Sequence, residues 1–257
     1  MKIVFHEKYY NSEYAWDPAA ASGRLDGIME IIKHNPKDYE IIKPEPCTED
    51  DILRAHSESH LKYIKNDSLL YEIASLAAGG AILAAQEAYK NNPTFAVIRP
   101  PGHHASADSC WGFCYFNNMS ISILKLFAEQ KIKSAFVLDF DLHFGDGTIN
   151  ILTNRKGDLK VKILNPDSNS RKEYLKEVEE YLKNLKEIDI FTASAGFDQG
   201  IDDWGHLLHP EDYTELGRLM KEYSIKLCKG RRYAILEGGY NRNVIGQNLH
   251  AFCQGFK

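Results

Sequence analysis

Residues 134–148 read SAFVLDFDLHFGDGT. The first part, Ala135-Phe136-Val137-Leu138, is a short unbroken apolar run, the pattern of a strand buried on both faces. The second part turns polar at once. Asp139, Asp141, His143 and Asp146 fall within eight residues, with Gly145 among them and Gly147 directly after. A strand that ends this way presents its carboxylates and imidazole where the chain leaves the sheet, and in α/β folds that carboxyl edge is where ligands bind. Asp141 and His143 are two residues apart, so they leave an extended chain on the same side. One carboxylate oxygen and one imidazole nitrogen make half of a metal site.

Three other apolar runs end in the same manner. Residues 95–98 lead straight into Arg99-Pro100-Pro101-Gly102-His103-His104, a rigid loop carrying adjacent histidines. Residues 188–193 end in Ser194-Ala195-Gly196-Phe197-Asp198, and residues 233–236 in Glu237-Gly238-Gly239-Tyr240. In a parallel sheet these ends lie along one edge, where the groups can meet. Asp141, His143 and Asp198 then offer two carboxylates and one imidazole. Three protein ligands with one position left open is the catalytic arrangement, and oxygen–nitrogen ligation suits Zn²⁺ or Fe²⁺.

The remaining pattern alternates strand and helix. Strands are predicted at 2–5, 39–43 and 159–164, and helices at 24–34, 60–65, 73–89, 119–129, 174–185, 211–226 and 244–256, with helix starts at Thr48 and Ile149. Gly79-Gly80 inside the alanine-rich helix marks close packing. Residues 66–71 read as a short polar connection. His56 and His60 have the spacing of a metal pair on one helix face but lack the intervening carboxylate of HExxH, so a helix flank near the surface is expected. No linker or repeat interrupts the pattern, which predicts one α/β/α three-layer domain over residues 1–257 with a mostly parallel sheet.

Composition excludes several classes. The chain of 257 residues is 44% hydrophobic and 26% charged, with a formal net charge of −5 and a pI near 6.1. It has no basic patch suited to nucleic acid. Its apolar runs are shorter than a membrane span, and the N-terminus lacks the apolar segment of a secretory signal. Five cysteines without a CxxC pair point to a reduced, cytoplasmic protein, and Cys110 with Cys114 does not complete a zinc ribbon. Nothing in the sequence assigns an oligomeric state.

The motifs RPPGHHA (99–105), GFCYFNN (112–118), LDFDLHFGDGT (138–148), SAGFD (194–198) and LEGGY (236–240) resemble, in order, those of the histone deacetylase and acetylpolyamine amidohydrolase superfamily. The likeness is to a short, prokaryotic-like member. It implies the arginase–deacetylase fold and a metal-dependent hydrolysis that removes an acyl group from an amine such as acyl-lysine. It places the metal ligands on Asp141, His143 and Asp198. The tandem histidines fall on His103 and His104, the carboxylates behind them on Asp139 and Asp146, and the transition-state tyrosine on Tyr240. His104 would be the general base and then acid, and His103 its electrostatic partner. Substrate-binding positions fall on Gly112, Phe113 and Gly239, with Gly238 and Gly239 leaving the tyrosine room to swing inward. A monovalent cation such as K⁺ is implied beside Asp139, Asp141 and His143.

The chain also departs from that pattern. Asp141 and Asp198 are 57 residues apart (198 − 141), less than is usual in the family, and the missing part includes the loop that supplies a second tunnel phenylalanine. A shallower, more open site is expected. Phe144 stands where a second histidine is frequent, Asp67 is the candidate for a rim aspartate, and Gly205 takes the place of an acidic gatekeeper, with Asp202 and Asp203 close by. Two other readings compete. VLDFD resembles the start of a haloacid dehalogenase-type phosphatase, although His143 stands where that class wants threonine. A metal-stabilised binding module for acylated ligands would keep the ligands without needing His103, His104 and Tyr240 together.

Overall fold

The computed structural model describes residues 1–154 and 157–257. Its seven strands form one sheet: β1 (Lys2–Val4), β2 (Glu40–Ile42), β3 (Thr94–Ala96), β4 (Ser134–Asp139), β5 (Lys160–Leu164), β6 (Ile190–Ala195) and β7 (Arg232–Leu236). The order is β2-β1-β3-β7-β6-β4-β5, and every pairing is parallel rather than mostly so. Every residue of β3, β4, β6 and β7 is buried, whereas the edge strands β2 and β5 are partly exposed. This explains the unbroken apolar runs: helices cover the central strands on both faces, so no residue faces water.

The helices fall into two sets. α1 (Asp26–His34), α7 (Arg171–Lys183), α8 (Pro210–Cys228) and α9 (Ile245–Phe256) pack in succession, α1 on α9, α9 on α8 and α8 on α7. α2 (Glu49–Leu53), α3 (Glu58–Lys65), α4 (Ser68–Tyr89), α5 (Asn118–Ala128) and α6 (Asp146–Thr153) form the other set, with α4 against α5, β3 and β7. A continuous apolar cluster runs from Ile3 to Phe256.

Local chemistry sets the boundaries. Thr48 and Asp51 form a capping box on α2, and the Asn117 side chain caps α5 at Ser120 N. The 66–71 stretch is mostly helix rather than connection. Asp67, the rim candidate, accepts from Leu69 N and Leu70 N through Oδ1 and starts α4 at Ser68. By length and composition α4 would also suffice to cross a membrane, because small residues dilute its apolar run without breaking it. Here its buried face packs on the sheet. A side chain at Gly79 would collide with the Glu45 carbonyl, so the glycine pair allows the predicted close approach. Arg24 lies before α1 rather than opening it, and its buried side chain reaches the far end of the chain.

Candidate active site

The four chemistry-bearing strands are neighbours, β3-β7-β6-β4, although they lie far apart in sequence. Their carboxyl ends therefore converge at the middle of one sheet edge. Beyond β3, Val97 and Ile98 stay buried and the chain turns at Pro100-Pro101-Gly102. The turn is held from β7, where Glu237 accepts hydrogen bonds from Gly102 N (2.6 Å) and His103 N (3.1 Å). Glu237 is fully buried and its other oxygen has no partner. Burial pushes its carboxyl up to about 7. Sequence reading passed over this residue. The available signal was a carboxylate closing a wholly apolar strand, where desolvation makes a charge costly without a role.

Asp141, His143 and Asp198 come together with one ligand atom from each within 4.8 Å of the others. His143 Nδ1 lies 3.2 Å from both Asp141 Oδ1 and Asp198 Oδ2. Gly238 N donates to Asp141 Oδ2 (2.7 Å) and Leu142 N to Asp198 Oδ1 (3.1 Å), which fixes both carboxylates. A side chain at Gly238 would come within 2.5 Å of an oxygen of each, so this glycine makes room for the carboxylates rather than for the tyrosine. Burial and the Asp141 charge push Asp198 up to about 7, while its two carboxylate neighbours raise His143 to about 10. Two buried carboxylates and one imidazole converging in this way make an oxygen–oxygen–nitrogen donor set that fits a divalent cation.

The tandem histidines stand next to this triad, each on its own carboxylate. His103 Nδ1 is 3.2 Å from Asp139 Oδ2, and its Nε2 is 3.7 Å from Asp141 Oδ1. His104 Nδ1 is 2.7 Å from Asp146 Oδ1. Burial disfavours a charge on His103, but Asp141 and Asp139 outweigh it and hold the ring protonated. Burial, reinforced by the His103 charge, lowers His104 to about 4 despite Asp146. The surroundings thus push the two neighbouring imidazoles in opposite directions. His104 keeps its proton on Nδ1 toward Asp146, which leaves Nε2 as an acceptor.

Tyr240 follows Gly238-Gly239, with Gly239 at φ +111°, a conformation that favours glycine. Asp203 Oδ2 accepts from both Tyr240 N and Asn241 N (2.8 Å each), a second residue whose role the sequence did not reveal. The Tyr240 ring lies 5.3 Å from the Arg24 guanidinium, whose nitrogens donate to the carbonyls of Gly239 and Glu237. Burial and the Asp141 charge keep the phenol protonated. Phe113 meets Tyr240 edge to face at 5.9 Å. Gly112, at φ +58°, lies against His104, and a side chain there would strike the imidazole.

Neighbouring rings continue around the site: Trp111 on His104 (3.8 Å between centroids), His104 toward His143 (5.9 Å), His143 toward Trp204 (6.1 Å) and Trp204 stacked on Tyr240 (4.0 Å). Trp204, next to the position expected for a gatekeeper, is exposed on its outer side and stacks on Tyr240. Asp141, His143 and Phe144 line a cavity of 490 Å³ with Asn165, Pro166 and Asp167. The other histidine pair is elsewhere. His56 and His60 are buried rather than near the surface and hold the 106–117 segment through Ser106 O, Asn117 N and Tyr115 O.

The arrangement can bind a metal, accept and return a proton, and donate a hydrogen bond to a developing oxyanion. Comparison with known proteins agrees with that chemistry. The histone deacetylase domain family matches residues 19–164. A probable deacetylase of Methanothermobacter thermautotrophicus is 27% identical over 98% of this chain and 90% of its own length. A probable deacetylase of Archaeoglobus fulgidus is 29% identical, covering 93% and 81%. The crystal structure of the HDA15 HD domain superposes with a TM-score of 0.85 at 21% identity, over 100% of this chain and 90% of that one. That likeness establishes the arginase–deacetylase fold and removes the phosphatase reading of VLDFD. With the family matched over more than half of its length and its strand ends converging as that fold requires, the chain belongs to the histone deacetylase family.

Proposed function

We propose that this protein hydrolyses the amide bond of an acylated amine, such as acetylated lysine or a small N-acetylated amine. Asp141, His143 and Asp198 would hold the metal, zinc or ferrous iron, which when bound supplies Lewis acidity to the carbonyl and acidifies the attacking water. His104 Nε2 takes a proton from that water and returns it to the leaving nitrogen as the carbon–nitrogen bond breaks, giving a carboxylic acid and an amine. Asp146 holds the His104 tautomer. His103, braced by Asp139, is the electrostatic partner of His104. Tyr240 donates to the oxygen on which that charge develops. Phe113, Gly112 and Gly239 shape the entry for the substrate arm.

The observation that carries this reading is the placement of His103 and His104, each on its own carboxylate, beside an oxygen–oxygen–nitrogen ligand set. A binding module would have no use for two such histidine–carboxylate pairs. The proposal includes a monovalent cation beside Asp139, Asp141 and His143, one catalytic domain over residues 1–257, and a cytoplasmic location without nucleic-acid or membrane partners. The test is acetate release from an acetyl-lysine peptide, an acetylpolyamine and a small N-acetyl amine by protein loaded with zinc and by the same protein stripped of it. Zinc bound one to one with no acetate released from any of the three would sink the reading.

A further inference from the structure

We propose that Trp111 is a positioning residue that clamps the His104–Asp146 pair in its reactive orientation. The two histidine–carboxylate pairs are held differently. Asp139 is fully buried, and its second oxygen accepts from Asp141 N (3.3 Å). The Asp146 side chain is 44% exposed, so water competes for the oxygen that His104 does not use. Trp111 Nε1 donates to that oxygen, Oδ2, at 2.9 Å. Its indole also lies over the imidazole at 3.8 Å between centroids and an interplanar angle of 33°. One side chain therefore touches both members of the pair.

The backbone makes this possible. Gly112 at φ +58° turns the chain directly beneath His104, and no side chain fits between them. The residue before it is folded back over the imidazole. Cys114 Sγ accepts from His104 N beneath, while Cys114 N donates to Trp111 O, so the turn is tied at both ends. Trp111 remains 55% exposed, a placement that burial alone would not select for the largest apolar side chain. Its contacts account for the position: the indole N–H fixes Oδ2, Oδ1 is thereby aimed at Nδ1, and the ring keeps water off the imidazole face. His104 then retains the tautomer that leaves Nε2 free.

This inference rests on the reading of His104 as the base, and two readouts separate the claims. In zinc-loaded protein, Trp111→Phe keeps the ring and removes the donor; kcat is expected to fall about tenfold, as for a hydrogen bond to a charged group, with KM changed less than about twofold. Trp111→Ala removes both contacts and should lower kcat about a hundredfold. Independently of turnover, ¹⁵N spectra of the histidine rings should show His104 as the Nδ1–H tautomer in the wild type and as a mixture in both variants. If the wild type releases no acetate, the functional reading falls and the spectra alone decide the clamp. Unchanged His104 tautomer in folded Trp111→Phe and Trp111→Ala overturns the clamp, whatever happens to kcat. So does an effect confined to KM.

Discussion

His103 and His104 lie ring against ring at 4.0 Å between centroids, and His56 and His60 do the same at 4.8 Å. All four are buried. What differs is the partners. The first pair faces Asp139, Asp141 and Asp146. In the second, His56 Nδ1 bonds Ser106 O and its Nε2 accepts from Asn117 N, which leaves that ring no place for a second proton. Burial, with His60 close by, lowers His56 to about 3. A buried imidazole becomes a functional group where carboxylates stabilise its charged form, and a structural peg where backbone groups saturate its neutral form. The comparison also links the two pairs, since the peg fastens the segment that carries Trp111, Gly112 and Phe113.

The contrast can be broken most severely at the first pair. His104→Ala should lower kcat on an acetylated amine by about 10²–10⁴-fold, the usual worth of a positioned acid–base group, with folding retained. Circular dichroism and initial rates together check it. Tyr240→Phe comes next. Losing the oxyanion donor should cost about 10²–10³ in kcat and much less in KM. A wild-type rate for both variants would remove the mechanism.

The second pair is expected to fail in the other direction. His56→Leu leaves Ser106 O and Asn117 N without partners and should destabilise the fold by about 2–4 kcal/mol, read by urea denaturation. A large loss of activity per folded molecule with no loss of stability would show that His56 is more than a peg.

The smallest effect is one of pH. In the folded state His56 titrates near 3, against 6.5 for an ordinary histidine. Between these values the unfolded chain binds a proton that the folded chain does not. The His56 contribution is therefore complete above pH 6.5 and declines as the pH falls toward 3. The stability gap between wild type and His56→Gln should narrow from pH 7 to pH 4.5. A gap that stays constant or widens would mean that His56 accepts its proton in the fold.

Much of the site was legible because its residues sit in short motifs at strand ends. Asp139, Asp141, His143 and Asp146 share one turn, and a parallel sheet gathers its strand ends without further information. Glu237 and Asp203 were not legible as site residues. Glu237 supports a loop 135 positions earlier in the chain, and Asp203 grips the Tyr240 backbone 37 positions ahead of itself. Neither partner is signalled by local spacing. His56 and His60 were misplaced for a related reason: a helical pair four residues apart looks the same whether water or another loop covers it.

The sequence by itself determined the strand-and-helix alternation, the polar clusters at the strand ends and the likeness to a deacetylase family, since hydrophobic period and motif order are local properties. Only the tertiary structure decided that β3, β7, β6 and β4 are neighbours, that His103 and His104 meet different carboxylates, and that Trp111 lies over His104 and Trp204 over Tyr240. Those outcomes depend on which charges and surfaces meet across the sheet edge. A potential falling with distance in space, not in sequence, sets them.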